Sequence, residues 1–231
     1  MVKPFGSGRR GAGTSAPVPM SSRPLLGFLL FSLVACSPGE AAEGGAPSTD
    51  SAAAQAGDSG RRETAVFAGG CFWSVEANFE AIPGVVRAVS GFAGGAGANP
   101  SYEQVVRGGT GHLEAVQVIF DPARISYRQL VDRFWLTIDP TDPDGQFCDQ
   151  GPSYATAVFA TPAQKPAAEA SRRAAAARIR TARFVTPVRD VARFWPAEAH
   201  HQDFARRNPA RYGGYTRFCG RAARLRAVWG V

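Results

Sequence analysis

Short apolar runs of two different periodicities alternate along the chain after residue 63, and this alternation limits the fold more than any other feature. Residues 112–120 alternate apolar with polar side chains, which is the pattern of a half-buried strand. Phe72, Val75 and Phe79 recur at helical spacing. Because strands and helices interleave with hairpin-like pairs, the sequence predicts an α+β two-layer sandwich. We expect a mixed sheet with helices on one side and a ferredoxin-like core.

The remaining segments extend this scheme. Strands are predicted at 64–68, 85–92, 154–160 and 184–191. Helices are predicted at 72–81, from 126 onward and at 162–180. Less regular segments are a short helix or strand from 102, a loop at 139–151, and a tail of loop and short helix from 198.

Composition and charge exclude several classes of protein. The chain has 231 residues, of which 45% are hydrophobic and 10% aromatic, so most of it should be globular. The net charge is +7, but four basic residues precede Cys36 and the rest carries 22 basic against 19 acidic side chains. This near balance predicts no nucleic-acid partner. No apolar run reaches the ~20 residues of a membrane-spanning helix.

The N-terminus has the layout of a secretory signal. Arg9, Arg10 and Arg23 precede an uncharged apolar run over 25–35, and Cys36 follows it directly. The string Leu-Val-Ala-Cys resembles a bacterial lipobox, which implies that Cys36 is acylated and anchors the protein to a membrane at its periplasmic face. The alternative is an ordinary signal peptide and a soluble periplasmic protein.

Three segments are therefore predicted. Residues 1–36 form the signal peptide with the lipobox cysteine, residues 37–62 form a flexible tether without apolar periodicity, and residues 63–231 form the folded domain. The last segment suits one domain of ~100–200 residues. Export would place it in a compartment where disulfides form.

The motif Gly-Gly-Cys-Phe-Trp at 69–73 marks a candidate reactive thiol. It places Cys71 on a glycine turn between a strand and a helix N-terminus. Backbone N–H groups and the helix dipole at such a place favour a thiolate, and glycine leaves the thiol accessible. Ser74 is predicted to cap the helix start. The alternative is a buried structural cysteine, with Phe72 and Trp73 in the core.

Five segments together resemble the peptide methionine sulfoxide reductase A family, in the right order over residues 64–231. They are 70–73, 100–105, 109–116, 149–154 and 197–204. The resemblance implies a peptide-methionine (S)-S-oxide reductase that acts on oxidised proteins and peptides, with free methionine sulfoxide as a further substrate.

The resemblance also implies a role for each matching residue. Cys71 attacks the sulfoxide sulfur, and Glu114 is the acid, held neutral by an apolar pocket. Tyr102 and Tyr154 donate hydrogen bonds to the sulfoxide oxygen. Asp149 orders the site. Without the resemblance, Glu114 could be an exposed strand carboxylate, the tyrosines could lie on a rim, and Asp149 could cap a turn.

Further roles concern the pocket and the other thiols. Phe72 and Trp73 match the pocket for the substrate methyl group. Attack leaves Cys71 as a sulfenic acid, which a second thiol traps as a disulfide. Cys219 resembles the family's C-terminal recycling cysteine, and Cys148 is a second candidate resolving thiol. Their order stays open. The implied reductant is a thioredoxin-like dithiol, with no bound cofactor and a monomeric chain.

The sequence also yields a metal prediction and two rival functions. His112, His200 and His201 lack ligand spacing, so we expect no metal, and we expect His200 and His201 to support the tail by hydrogen bonds. One rival is a thiol peroxidase, which would need an arginine close to the thiolate. The other is a non-catalytic surface lipoprotein with an aromatic binding pocket.

Overall fold

The structure, a computed structural model, describes residues 60–179 and 183–230. The predicted signal peptide, Cys36 and nearly all of the predicted tether lie outside these residues. Across the described part of the chain, no helix is both long and apolar enough to cross a membrane.

Eight strands and seven helices follow one another along the described residues. The strands are β1 (Glu63–Gly69), β2 (Val85–Ala93), β3 (Leu113–Phe120), β4 (Gly145–Gln146), β5 (Asp149–Gln150), β6 (Thr156–Ala160), β7 (Val188–Asp190) and β8 (Trp195–Pro196). The helices are α1 (Phe72–Glu80), α2 (Tyr102–Arg107), α3 (Tyr127–Trp135), α4 (Lys165–Arg178), α5 (Phe204–Arg207), α6 (Pro209–Phe218) and α7 (Arg221–Trp229).

Six strands form one mixed sheet in the order β7-β6-β1-β3-β2-β8. All neighbouring pairs are antiparallel except β6 and β7, which are parallel. The central order β6-β1-β3-β2, with α1 between β1 and β2 and α3 between β3 and β6, is a split βαβ arrangement. The predicted α+β fold with a ferredoxin-like core is confirmed. Strands β4 and β5 form a separate hairpin.

Helices cover one face of the sheet. On β3, Val116, Val118 and Phe120 pack against the helices, whereas Leu113 and Ala115 belong to a smaller cluster on the opposite face. Side chains alternate between the two faces of a strand, so the even-numbered residues of β3 point toward the helices. This register places Glu114 on the helix side.

The helix-side core is rich in stacked aromatic rings. Phe67 of β1 lies 4.7 Å from Phe79 and 5.0 Å from Phe134 between ring centroids. The Trp135 indole N–H donates a 2.8 Å hydrogen bond to the Ser171 hydroxyl, which joins α3 to α4. Such rings bury ~150–250 Å² each, so this packing holds α1 and α3 firmly on the sheet.

Several predicted boundaries were wrong. The strand predicted at 154–160 begins at Thr156, because Pro152–Tyr154 form a 3-10 turn. The strand predicted at 184–191 is limited to Val188–Asp190, and the predicted loop at 139–151 contains the β4–β5 hairpin. The tail is more helical than expected, since α5, α6 and α7 occupy most of it.

Candidate active site

Cys71 lies between β1 and α1 and forms the N-cap of the helix. Its carbonyl oxygen accepts hydrogen bonds from the backbone N–H groups of Ser74 (3.1 Å) and Val75 (3.4 Å). Gly70 precedes it at φ +75°, and a Cβ there would come within 2.5 Å of Gln146 Cβ. The glycine therefore allows close packing. It does not leave the thiol accessible as predicted, because Cys71 is only 6% exposed.

The surroundings of Cys71 favour the protonated thiol over the thiolate. Burial raises its pKa to about 12, and the negative charges of Glu114 and Asp149 raise it further, whereas the Tyr215 hydroxyl and the Trp73 backbone N–H lower it. The prediction of a thiolate favoured by the helix N-terminus was wrong for this state of the site. The helix start supplies few contacts to the sulfur, and desolvation outweighs them.

Glu114 supplies a buried acid directly beside the thiol. The Phe72 backbone N–H donates a 2.9 Å hydrogen bond to Glu114 Oε2, and the side chain is 2% exposed. Burial raises its pKa to about 8, the Phe72 N–H lowers it, and the charge of Asp149 raises it. Glu114 is therefore mostly a neutral carboxylic acid near neutral pH, and it lies where the sequence placed an acid.

Tyr102 and Tyr154 converge on the same carboxyl from different elements. Tyr102 opens α2, and its backbone N–H donates a 2.9 Å hydrogen bond to Glu198 Oε1. Burial first and the Glu114 charge second raise the pKa of both phenols, while the Tyr154 hydroxyl lowers that of Tyr102. Both hydroxyls therefore keep their protons and are available as hydrogen-bond donors.

Asp149 and Tyr215 complete the polar part of the site. Asp149 lies on β5, and the Tyr215 hydroxyl of α6 donates a hydrogen bond to its Oδ2. Burial raises the pKa of Asp149, whereas this hydrogen bond and the charge of Arg221 lower it. Tyr215 also faces Cys71 and lowers the pKa of that thiol. Sequence reasoning missed Tyr215, since no motif contains it.

Phe72 and Trp73 form the apolar side of the site. Phe72 is 1% exposed, and its ring centroid lies 6.1 Å from that of Tyr102. Trp73 stacks on Phe204 at 3.6 Å between ring centroids, and its indole N–H donates a 3.2 Å hydrogen bond to His201 Nδ1. His201 was predicted to support the tail by hydrogen bonds. The hydrogen bond from Trp73 does so, because it joins the tail to the aromatic wall formed by Phe72 and Trp73.

Ser74 does not cap α1. Cys71 occupies the N-cap without a side-chain cap, and the buried Ser74 hydroxyl has no hydrogen-bond partner within residues 60–179 and 183–230. The predicted cap was therefore wrong by three positions, because the helix begins one residue after Cys71 rather than at the serine.

The two remaining described cysteines form a disulfide. Cys148 and Cys219 are bonded with a Cα–Cα distance of 4.8 Å across 71 residues, while Cys71 is a free thiol in the described part of the chain. Cys148, Asp149 and Cys219 place potential ligand atoms within 4.8 Å of one another. Since the disulfide occupies both sulfurs, this group offers one carboxylate to a metal. The absence of a bound metal stays a prediction.

The site combines a buried thiol, a neutral carboxylic acid, two phenols and a disulfide on the adjoining hairpin. This combination defines a thiol-dependent oxidoreductase. The model of the family described as "Peptide methionine sulfoxide reductase" matches residues 63–230. The chain therefore belongs to the peptide methionine sulfoxide reductase family, and it is an oxidoreductase with that activity. The thiol peroxidase and the non-catalytic lipoprotein are rejected.

Similar proteins and structures agree with this assignment. "Peptide methionine sulfoxide reductase MsrA 2" of Caulobacter vibrioides is 50% identical over 170 residues, covering 74% of this chain and 87% of that protein. The MsrA protein of Limosilactobacillus reuteri is 46% identical over 65% of this chain and 87% of its own length. The methionine sulfoxide reductase A structure of Corynebacterium diphtheriae is 31% identical with a TM-score of 0.60, covering 66% of this chain and 77% of its own. Reduced Mxr1 of Saccharomyces cerevisiae is 26% identical with a TM-score of 0.62, covering 65% and 87%.

Proposed function

We propose that Cys71 attacks the sulfur of methionine-S-sulfoxide in oxidised proteins and peptides, and also in free methionine sulfoxide, with Glu114 as the acid. One observation carries this proposal. A carboxyl group whose pKa burial raises to about 8 accepts a hydrogen bond from the backbone N–H that directly follows Cys71. A sulfoxide sulfur becomes a good electrophile when its oxygen is protonated, and a neutral carboxylic acid beside the nucleophile supplies that proton.

The proton balance follows from the pKa values. Burial keeps Cys71 as a thiol, so its proton leaves during the attack. Glu114 protonates the sulfoxide oxygen, and the Cys71 proton replaces the one that Glu114 gives up. The attack forms a bond between the Cys71 sulfur and the sulfoxide sulfur, and the protonated oxygen then passes to the Cys71 sulfur. The S–O bond and the new S–S bond both break, the substrate sulfur keeps an electron pair as the thioether, and Cys71 becomes the sulfenic acid. Tyr102 and Tyr154 donate hydrogen bonds to the oxygen as charge develops on it, and Asp149 holds Tyr215 beside the thiol.

The aromatic wall formed by Phe72 and Trp73 would bind the apolar end of the substrate. Phe72 and Trp73 offer ring surface to the methyl group of the sulfoxide, next to the reacting sulfur. Phe204 and His201 hold Trp73 from behind. A ring fixed on its far side limits the orientations of the substrate, so that one epimer presents its oxygen to Glu114. The S epimer is the one that the family resemblance implies.

The sulfenic acid at Cys71 is resolved by an intramolecular disulfide, and the chain is then reduced by a thioredoxin-like dithiol without a bound cofactor. The Cys148–Cys219 bond supports this proposal, since it is the product expected when the oxidation leaves Cys71. Outside the cytoplasm, an exported thiol carrier would deliver the electrons.

The reaction is tested with the full-length chain, dithiothreitol, and peptides that carry either epimer of methionine sulfoxide. We expect methionine from the S epimer, little from the R epimer, and none with Cys71→Ser. Turnover of hydrogen peroxide serves as the control reaction and should be much slower. Equal turnover of both epimers, or full activity of Cys71→Ser, would reject the proposed chemistry.

We further propose that Cys36 is acylated and holds a monomeric catalytic domain, residues 63–231, at the periplasmic face of a membrane. The basic start, the apolar run and the lipobox-like string support this location. Cells fed an alkyne fatty acid should label the wild-type chain and not Cys36→Ser, which should also leave the membrane fraction. An unlabelled wild-type chain in the soluble periplasm would indicate an ordinary signal peptide. Size-exclusion chromatography of the detergent-extracted protein tests the monomer.

A further inference from the structure

We infer that the two partner thiols have separate tasks: Cys219 resolves the Cys71 sulfenic acid, and Cys148 is the sulfur that the external dithiol attacks. This division of roles rests on the proposed function, because it needs a sulfenic acid at Cys71. It goes further by ordering the exchange that the sequence left open.

Helix α6 connects Cys219 with the reactive thiol. Tyr215 on this helix faces Cys71, and the backbone N–H of Cys219 donates a 3.0 Å hydrogen bond to the carbonyl oxygen of Tyr215. Residues four apart lie on the same helical face, one turn or ~5.4 Å along the axis. A displacement of α6 by about one turn would therefore bring Cys219 to the place that Tyr215 occupies over Cys71.

Helix α6 is also the element that is free to move. Every residue of α6 is at least partly exposed, and Gly213 and Gly214 lie at its centre. Glycine destabilises a helix interior by ~1 kcal/mol relative to alanine. A helix with little buried surface and two central glycines opens at low cost in free energy, as a segment that delivers a thiol must.

Cys148, by contrast, is held on a fixed hairpin. It lies in the two-residue loop between β4 and β5, beside Phe147 at φ +61°. The fully buried Gln146 anchors this hairpin: its Oε1 accepts a 2.8 Å hydrogen bond from the Asp139 backbone N–H, and its Nε2 donates one of 2.7 Å to the Asp139 carbonyl. The Cys148 sulfur therefore stays near its present position, where it meets the arriving Cys219.

Exposure then decides which sulfur the reductant attacks. Cys148 is exposed, whereas Cys219 is half-buried in a cavity of about 370 Å³ that Phe147 and Arg224 also line. Attack by an external dithiol requires access to the sulfur, so the exposed Cys148 is the better target and Cys219 is the leaving group.

The steps balance. The Cys219 thiolate attacks the sulfur of the Cys71 sulfenic acid, an S–S bond forms, and the oxygen leaves as water after taking up a proton. The Cys148 thiolate then attacks Cys219, which releases Cys71 as a thiolate that regains its proton. A dithiol donor attacks Cys148, Cys219 leaves as the thiolate, and the second donor thiol releases Cys148. The donor gives up two electrons and becomes a disulfide, and these electrons reduce the Cys148–Cys219 bond to two thiols.

The order of exchange is tested with full-length Cys148→Ser and Cys219→Ser chains. Each is reduced, freed of reductant, given one equivalent of a methionine-S-sulfoxide peptide, and quenched with N-ethylmaleimide or dimedone for mass spectrometry. We expect Cys148→Ser to accumulate the Cys71–Cys219 disulfide, and Cys219→Ser to accumulate a dimedone adduct on Cys71. The resolving rate should differ by roughly tenfold or more, because only the mobile thiol reaches the sulfenic acid.

The opposite pattern would overturn the order: a Cys71–Cys148 disulfide in Cys219→Ser, with a dimedone adduct persisting in Cys148→Ser. Dimedone adducts persisting in both would overturn it as well. Both variants keep Cys71, so each should release one equivalent of methionine. No methionine from the wild-type chain would instead reject the proposed function. If a variant misfolds, rapid quenching of the wild-type chain decides, with Cys71–Cys219 as the expected first disulfide and Cys71–Cys148 as the contradicting one.

The site of reductant attack is tested on oxidised Cys71→Ser, which retains the Cys148–Cys219 disulfide and removes the active-site thiol. Reduced glutathione is added briefly, the mixture is quenched in acid, and the adduct is mapped to a peptide. We expect glutathione on Cys148. An adduct mainly on Cys219 would overturn this half of the inference.

Discussion

Replacing Glu114 with glutamine removes the proton that the proposed chemistry requires, with little change in shape. The amide oxygen can still accept the hydrogen bond from the Phe72 N–H, which is 2.9 Å long to Oε2 in the wild-type chain. The side chain is 2% exposed, so bulk solvent has little access to replace the missing acid. Glu114→Gln should therefore fold and bind substrate but transfer the proton poorly.

The size of the effect follows from the burial of this carboxyl. Its pKa of about 8 against an ordinary 4.5 corresponds to ~5 kcal/mol in favour of the neutral form, and leaves about nine tenths of the groups protonated near neutral pH. General acids in enzymes contribute ~10²–10⁴-fold in rate, or ~3–5 kcal/mol. We expect single-turnover sulfoxide reduction by Glu114→Gln to be slower by about that factor.

The pH dependence of sulfoxide reduction is an independent test of the role of the Glu114 carboxyl group. Because the active form is protonated, the wild-type rate of sulfoxide reduction should fall as pH rises through about 8, and Glu114→Gln should lack this fall. Stability should follow the same group. Its folded pKa lies above the unfolded value, so its contribution is complete below about 4.5 and is lost as pH rises toward 8. Thermal denaturation of Glu114→Gln should be less sensitive to pH in that window.

The assay is rapid-quench measurement of methionine from a methionine-S-sulfoxide peptide, with the reduced chain in excess. Glu103→Gln is the matched control, since it makes the same change in charge at an exposed position of α2 and should keep the wild-type rate. A Glu114→Gln chain that folds normally and reduces the sulfoxide within a few-fold of the wild-type rate would refute the acid role.

Three further substitutions test the surroundings of the site. Phe204→Ala removes the ring stacked on Trp73 at 3.6 Å; unfolding experiments should show a loss of about 3–5 kcal/mol, and steady-state kinetics a raised KM, whereas an unchanged KM would contradict the supporting role. Tyr215→Phe removes a hydroxyl that lowers the pKa of Cys71, so iodoacetamide should alkylate the reduced thiol several-fold more slowly, and equal or faster alkylation would oppose this. Phe218 is 87% exposed beside the disulfide, where it can contact a protein reductant. Phe218→Ser should change the free energy of unfolding by less than about 0.5 kcal/mol and leave dithiothreitol-driven turnover intact, but slow turnover with a thioredoxin-like dithiol. Equal slowing with both reductants would exclude this docking role.

Local patterns in the sequence predicted the sheet and the helix-side core well. The alternation over residues 112–120 became β3, and its register already places Glu114 on one defined face. The spacing of Phe72, Val75 and Phe79 became the buried face of α1. These features depend on near neighbours in the chain, and for that reason the pattern of apolar residues was sufficient.

Features that depend on distant packing were not predictable in the same way. Tyr215 reaches Cys71 and Asp149 only because α6 returns across the site, and nothing near Tyr215 in the sequence signals that contact. The protonation of Cys71 was mistaken for the same reason. The glycine turn and the helix start are visible locally, whereas the burial that raises its pKa comes from elements far along the chain.

The disulfide also has one feature that the local sequence predicts and one that depends on distant packing. The sequence identified Cys148 and Cys219 as candidate partners of Cys71 but left their order open. Their pairing across 71 residues requires the β4–β5 hairpin and the end of α6 to meet, and a loop-like tail gave no sign of this. The helices α6 and α7 were underestimated because Gly213, Gly214 and Gly220 interrupt the pattern and α6 has no buried residue of its own.

Oxidation of Cys71 by a single equivalent of sulfoxide is the most direct test of the proposed chemistry. The full-length chain with both Cys148 and Cys219 replaced by serine is reduced, mixed with a methionine-S-sulfoxide peptide in the presence of dimedone, and analysed by peptide mass spectrometry. We expect one methionine per chain and a matching dimedone adduct on Cys71. Methionine formed without any modification of Cys71 would contradict the role of this sulfur.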